Sequence, residues 1–366
     1  MSKNSRIFIR VRDTNMTQTT KTRDAFKIGT ESVKPGTRKT VHLPVSTSHD
    51  LSSISLPVHV IHGRRPGPTV FVSGAVHGDE IIGVEVIRRL LNTKNIDGLR
   101  GTLLAVPVVN SFGFANHSRY LPDRRDLNRC FPGNTTGSLA GRLAHIFMKE
   151  VVERCDVGID IHSAAIHREN LPQIRVTPSS LNTMKLAQAF EAPLILTSAL
   201  KEGSLRKAAH QKKVDILLFE AGEALRFDEF AVRIGFSGVM KVLRALEMIP
   251  KSKAPKHKIN PILSTSSFWV RSPAGGLLRT YRSLGDVVEK GDLLGLLSDT
   301  MGKVETEINA TEAGVIIGRT NLPMVHEGDA IFHVAKVAKQ TADHVSLEEL
   351  EEGLHREPLF DEDEII

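Results

Sequence analysis

From residue 58 the chain alternates two textures. Short apolar runs occupy residues 58–61, 69–73, 102–109, 157–161, 174–176, 194–196 and 215–219. Between them, residues 80–91, 138–154, 180–190, 204–211 and 227–248 repeat apolar side chains every three or four positions. The first texture predicts strands and the second predicts amphipathic helices. Runs that are apolar throughout, alternating with helices, predict an α/β fold: a mixed, largely parallel sheet sandwiched by helices.

The flanks differ. Residues 1–55 are polar and Ser/Thr-rich, with short strands expected at 6–11 and 40–44, and are taken as an N-terminal β-rich extension of a unit spanning 56–250. Residues 251–261 read as a Pro/Lys-rich linker. Beyond it, short apolar runs at 268–270, 276–278, 285–295, 310–317 and 328–335 are punctuated by Gly-Asp pairs, which predicts a small all-β, barrel-like domain over 262–338. An acidic tail, 339–366, closes the chain, with a helical turn expected at 346–352.

Composition narrows the function classes. The longest apolar runs are far too short to span a bilayer, and the first residues lack the apolar core of a secretory signal, so a cytoplasmic location without membrane association is expected. Two cysteines in 366 residues, Cys130 and Cys155, cannot build a disulfide framework and fit a reducing compartment. The formal charge of +6 conceals an asymmetry, since the tail holds 10 acidic and 2 basic side chains while residues 1–338 carry +14. Such a basic body favours anionic partners. Its cations are not interleaved with aromatics and no recognition motif for nucleic acid occurs, which leaves a small carboxylate-bearing substrate as the expected partner. A homo-oligomer is compatible with the sequence, but no coiled-coil repeat or other signature decides it.

The candidate chemistry gathers at predicted strand ends. His77 and Glu80 follow the run at 69–73, and His162 ends the run at 157–161. In a parallel sheet such ends open on one edge, so the three side chains could converge there. Two imidazoles and a carboxylate form a catalytic zinc set, in which the metal keeps a position for water and lowers its pKa toward about 7. A polar loop leading into a helix would also explain His77 and Glu80, because the helix dipole favours a glutamate there. Glu220 ends the run at 215–219 on the same edge, where a partly buried carboxylate suits a general base, with Glu223 as its rival. Residues 116–129 concentrate arginines and asparagines in a loop, suited either to a carboxylate ligand or simply to solvent.

Four motifs in order, His77-Gly-Asp-Glu80, Asp126-Leu-Asn-Arg129, Asp160-Ile-His162 and Glu220-Ala-Gly222, resemble those of the succinylglutamate desuccinylase/aspartoacylase family, relatives of the zinc carboxypeptidases. The resemblance covers roughly residues 50–335. It implies a zinc-dependent amidohydrolase, with one zinc per chain, that removes an acyl group from an N-acyl amino acid by metal-activated water. It also implies His77, Glu80 and His162 as ligands and Glu220 as general base, with Asn128 and Arg129 on the substrate and Arg129 aiding catalysis. By the same resemblance Arg119 and Arg206 would bind substrate; Arg124 and Arg125 compete with Arg119, and Tyr281 competes with Tyr120 for a further contact. The segment 285–315 looks like a biotinyl/lipoyl-type barrel, although Gly302 interrupts the Met-Lys pair that would make Lys303 a carrier. Two other functions fit the same residues: a carboxypeptidase-like hydrolase of small peptides, and a non-catalytic scaffold.

Overall fold

The structure, a computed structural model of the chain, describes residues 23–177, 181–251 and 260–337. The strand expected at 6–11, most of the linker and the acidic tail lie outside the described residues. In chain order the first strands are β1 (Phe26–Ile28), β2 (Glu31–Val33), β3 (Thr37–Thr47), β4 (Ser53–His62), β5 (Arg65–Gly74), β6 (Arg100–Val106), β7 (Val157–His162), β8 (Arg168–Val176), β9 (Leu194–Thr197) and β10 (Asp215–Gly222). After residue 260 come β11 (Ile262–Ser264), β12 (Ser267–Arg271), β13 (Gly276–Thr280), β14 (Val287–Val288), β15 (Leu293–Ser298), β16 (Glu305–Asn309), β17 (Gly314–Thr320), β18 (Met324–Val325) and β19 (Ala330–Ala335). The α-helices are α1 (Ile82–Asn92), α2 (Ser111–Ala115), α3 (Leu139–Glu150), α4 (Leu181–Phe190), α5 (Leu205–Gln211) and α6 (Glu229–Ala245). None is long and apolar enough to cross a membrane.

One 13-stranded mixed sheet dominates, with the main path β12-β19-β17-β8-β10-β7-β5-β6-β4-β3. Alternation along its strands explains the layers. Val70 and Val72 of β5, Ile159 and Ile161 of β7, and Leu217 and Phe219 of β10 join the core under α1, α4 and α6. Phe71, Leu104 and Ile216 point the other way, into the core shared with α3 and α5. Burial on both faces is why the strands read as continuous apolar runs. Where predicted helices began at Ser138 and Ser204, each serine is instead the N-cap, accepting a hydrogen bond from the N–H of Gly141 or Lys207. Such caps contribute about 1 kcal/mol each.

Two expectations need correction. Among the described residues, parallel pairing is confined to β6-β5-β7-β10 and to β8-β9-β11, while β3, β4, β8, β12, β17 and β19 join the main path through antiparallel pairs, so the sheet is mixed rather than largely parallel. Apolar content reports burial, not strand direction. A boundary between residues 55 and 56 falls inside β4, whose pairing with both β3 and β6 makes the N-terminal hairpin part of the large sheet.

The C-terminal strands divide between two sheets. β12, β14, β17 and β19 belong to the large sheet, and β13, β15, β16 and β18 form a four-stranded one. Val270, Leu278, Val288, Leu294, Ile308 and Phe332 share a core between them. The junction is direct, because β17 pairs antiparallel with β8 from Gly318↔Asn170 to Thr320↔Arg168.

Candidate metal centre

The polar residues inside the central strands sit on one face. Ser73 of β5 pairs with Asp160 of β7, and His162 pairs with Glu220 of β10. Residues two apart along a strand share a face, so Ser73, Asp160, His162 and Glu220 all point toward the α3/α5 side at the C-terminal end of the parallel strands. His77 and Glu80 reach the same place from the loop between β5 and α1. Gly78 lets this loop lie against α2, since a Cβ there would stand 2.0 Å from the Gly113 carbonyl carbon.

Buried Glu80 lies between the two histidines. His162 Nδ1 is 2.7 Å from Glu80 Oε2, and His77 Nδ1 is 2.7 Å from Oε1. The ligand atoms of the three residues all fall within 4.8 Å of one another. The second contact lacks hydrogen-bond geometry, so His77 Nδ1 is a buried nitrogen with no hydrogen-bond partner. Both imidazoles turn Nε2 outward to a carboxylate, His77 to Asp126 Oδ1 at 3.1 Å and His162 to Asp160 Oδ2 at 2.7 Å. Asp160 is fixed in turn by the Ser73 hydroxyl at 2.7 Å. Convergent Nδ1 atoms, with carboxylates behind Nε2, are what a divalent cation requires of histidine ligands. The residues present therefore fit a metal ion, and His77 Nδ1, 2.7 Å from the Glu80 carboxylate but without hydrogen-bond geometry, is the atom that most needs one.

Electrostatics follow from this packing. Burial would pull both imidazoles below their ordinary pKa, but Glu80 with Asp126 raises His77, and Asp160 with Glu80 raises His162 well above it. Burial opposes ionisation of Glu80, yet the adjacent imidazoles hold it well below the usual carboxylate range. Asp126 is also depressed, against its own desolvation, by His77 and Arg119. Neutral imidazoles and an anionic glutamate are the forms a metal selects, so it would displace protons held in the cluster.

The other expected residues are distributed as follows. Arg119 faces the cluster, donating from Nη1 to Glu80 Oε1 at 2.8 Å and from Nη2 to Asp126 Oδ2 at 3.0 Å. Asn128 spends its Oδ1 on the N–H of Leu205 at 2.9 Å, which ties the Asp126–Arg129 turn to the start of α5. Arg129 is exposed and donates to the Asn128 carbonyl at 2.7 Å. Arg124 and Arg125 are exposed. Tyr281 follows β13 and is exposed; its N–H binds the Leu294 carbonyl, and no hydrogen bond links its side chain to the cluster. Glu223 is a loop clamp, accepting from the His167 N–H at 2.8 Å and from Asn321 Nδ2 at 3.1 Å. Glu220 has no such duty to the loops.

A second cluster adjoins Glu220. Arg206 Nη2 binds Ser198 Oγ at 3.0 Å, while its Nη1 is buried without a partner. Burial, then repulsion from Arg175, pushes the Arg206 guanidinium down to about 10. Arg175, which sequence reasoning missed, has a buried, unpartnered Nε and holds Nη1 3.6 Å from Glu220 Oε1. Its signal was a lone arginine within an apolar run. From the C-terminal strands, His333 stands near enough to Arg175 that burial and that charge push its imidazole down to about 3.

Fold and site together define a mixed α/β protein with a buried His-Glu-His cluster at the C-terminal strand ends. Residues 66–246 fit the model of the succinylglutamate desuccinylase/aspartoacylase catalytic domain. An N-alpha-acetyl-L-2,4-diaminobutyric acid deacetylase from Halomonas elongata is 26% identical over 310 residues, 81% of this chain and 90% of that protein. The crystal structure of a succinylglutamate desuccinylase/aspartoacylase from Rhodobacter sphaeroides superposes with a TM-score of 0.74 at 24% identity, covering 82% of this chain and 96% of the other. Product-bound ectoine utilization protein EutE (DoeB) from Ruegeria pomeroyi gives 0.73 at 25% identity, over 81% and 95% of the two chains. The chain belongs to the succinylglutamate desuccinylase/aspartoacylase family.

Proposed function

We propose that this protein is a zinc-dependent amidohydrolase that releases the acyl group from a small, anionic N-acyl amino acid. The observation that carries this reading is the convergence of His77, Glu80 and His162, with Glu220 beside His162 in strand register. The deacetylase name of the Halomonas relative supports the substrate class.

His77, Glu80 and His162 would hold one zinc ion per chain. Zinc bound by three protein ligands supplies Lewis acidity and brings the pKa of a coordinated water toward about 7. Glu220 accepts the proton of the attacking water as the new carbon–oxygen bond forms, then delivers it to the amine nitrogen as the carbon–nitrogen bond breaks. Arg119 holds Glu80 and Asp126 in place, and Asn128 and Arg129, on the turn that follows Asp126, are the residues assigned to polarise the scissile carbonyl. Arg206 and Arg175, each with an unsatisfied buried nitrogen, receive the substrate carboxylate, which supplies the acceptor those atoms lack. The basic body draws an anion toward the cleft. In this division of labour β3 to α6 carry the chemistry, and residues 262–337 form a β module that walls the site through β8.

Glu220→Gln tests the reading on a panel of N-acetyl and N-succinyl amino acids set beside short peptides. The variant should keep its metal and lose about 10²- to 10⁴-fold in kcat, the usual contribution of a general base. Full activity would refute the base assignment, and turnover of peptides alone would favour a carboxypeptidase-like hydrolase.

A further inference from the structure

We infer that Asn170 positions the Glu220 carboxylate, and that Gly318 of the C-terminal strand β17 is the residue that permits it. The inference rests on the deacylase reading, in which Glu220 is the base.

β8 runs between β10 and β17, and Asn170 lies near its start. The buried Asn170 side chain donates from Nδ2 to Glu220 Oε2 at 2.9 Å. The other oxygen, Oε1, is ion-paired with Arg175 Nη1 at 3.6 Å, too far for a hydrogen bond, so its lone pairs remain able to accept one. A proton acceptor needs this arrangement: one oxygen anchored, one open. The anchor is also uncharged. A lysine or arginine bonded at the same distance would stabilise the anion and weaken it as a base, whereas an amide orients the carboxylate with a weaker, neutral hydrogen bond.

Gly318 is the direct antiparallel partner of Asn170. Opposed residues in such a pair project on the same face, so any side chain at 318 would lie against the asparagine. A Cβ placed there would stand 2.9 Å from Asn170 Oδ1, 3.3 Å from His333 Cβ and 3.4 Å from the Glu169 carbonyl oxygen. Of these three, the amide is the group at the end of a rotatable side chain, and it is the shortest contact. Moving it withdraws Nδ2 from Glu220. The β module thus supports the catalytic site by leaving out a side chain, although Gly318 touches no reacting group.

The test is a cycle of Asn170→Ala, Gly318→Ala and the double variant, with kcat, KM, metal content and thermal midpoint measured for each on the best N-acyl amino acid. Asn170→Ala should lower kcat by about 10- to 100-fold, part of what a general base supplies, with KM within about 2-fold. Gly318→Ala should lose about 5- to 30-fold, and the double variant should fall no further than Asn170→Ala, because both changes break one bond. Purely structural roles would instead give multiplying losses and a lower midpoint, which would overturn the inference; so would Asn170→Ala with wild-type kcat. Should Gly318→Ala fail to fold, Asn170→Leu keeps the shape and removes the donor without adding a charge beside Glu220. A loss of kcat comparable to Asn170→Ala supports the inference, and wild-type kcat overturns it. An inactive Glu220→Gln beside a fully active Asn170→Ala would remove this inference alone, whereas a fully active Glu220→Gln would remove the deacylase reading. Crystal structures then judge the positioning by itself: an amide displaced from Glu220 in Gly318→Ala supports it, and an unmoved amide refutes it.

Discussion

Glu220 and His162 are register partners on adjacent parallel strands, so their side chains leave the same face of the sheet about 4.8 Å apart at the backbone. A candidate base and a candidate ligand are thereby fixed to one another by main-chain hydrogen bonds rather than by loops. Rigid elements hold a constellation of this kind more tightly than loops can.

The carboxylates behind the histidines should govern metal affinity. Asp160→Asn keeps the shape but removes the charge facing His162 Nε2. Zinc affinity, measured by competition with a chromogenic chelator, should fall about 10- to 100-fold. An unchanged dissociation constant would mean that Asp160 serves only the strand.

Arg175 and Arg206 should act on the substrate carboxylate. Replacing either by Met should raise KM for an N-acetyl amino acid by about 10- to 100-fold, the worth of one hydrogen bond to a charged group. The matching carboxamide substrate, which lacks the anion, should lose less than about 3-fold by the same reasoning. Equal losses on both substrates would point to a packing role instead.

Acid should weaken the clasp between α1 and α6. Hydrogen bonding from Arg89 at 2.8 and 2.9 Å brings Glu229 down to about 2 from an ordinary 4.5. A depressed carboxylate contributes stability above its unfolded pKa and loses it as pH falls through the folded value. Glu229→Gln should therefore lower the thermal midpoint at pH 7, and the difference from wild type should shrink steadily below pH 4.5. Because the Glu229 side chain is 48% exposed, the effect at pH 7 should stay below about 1 kcal/mol. A difference that grows in acid would contradict the assignment.

Much of this was legible in the sequence because periodicity and strand ends are local properties. The runs at 69–73, 157–161 and 215–219 became β5, β7 and β10, and His77, Glu80, His162 and Glu220 met where those strands end. The start of β8 was not legible: Arg168, Glu169 and Asn170 have the character of a loop, and they enter the sheet because β17, far along the chain, pairs with them. Asn170 and Gly318 were missed for that reason. The apolar run alone left Glu223 as a rival to Glu220; the resemblance chose Glu220 through the Glu220-Ala-Gly222 motif, and the hydrogen bonds of Glu223 to His167 and Asn321 agree with that choice. Tyr281 was selected because the chain offers just two tyrosines, which carries no information about position.

The central claim is that His77, Glu80 and His162 hold a catalytic metal. Elemental analysis of purified protein, with wild type compared to His77→Ala and His162→Ala variants of native circular dichroism, addresses it directly. About one zinc per chain is expected for wild type, and a loss of most of it in each variant, as removing one of three protein ligands requires. A wild-type protein that takes up no zinc when supplied with it, or variants that retain a full equivalent, would contradict the account.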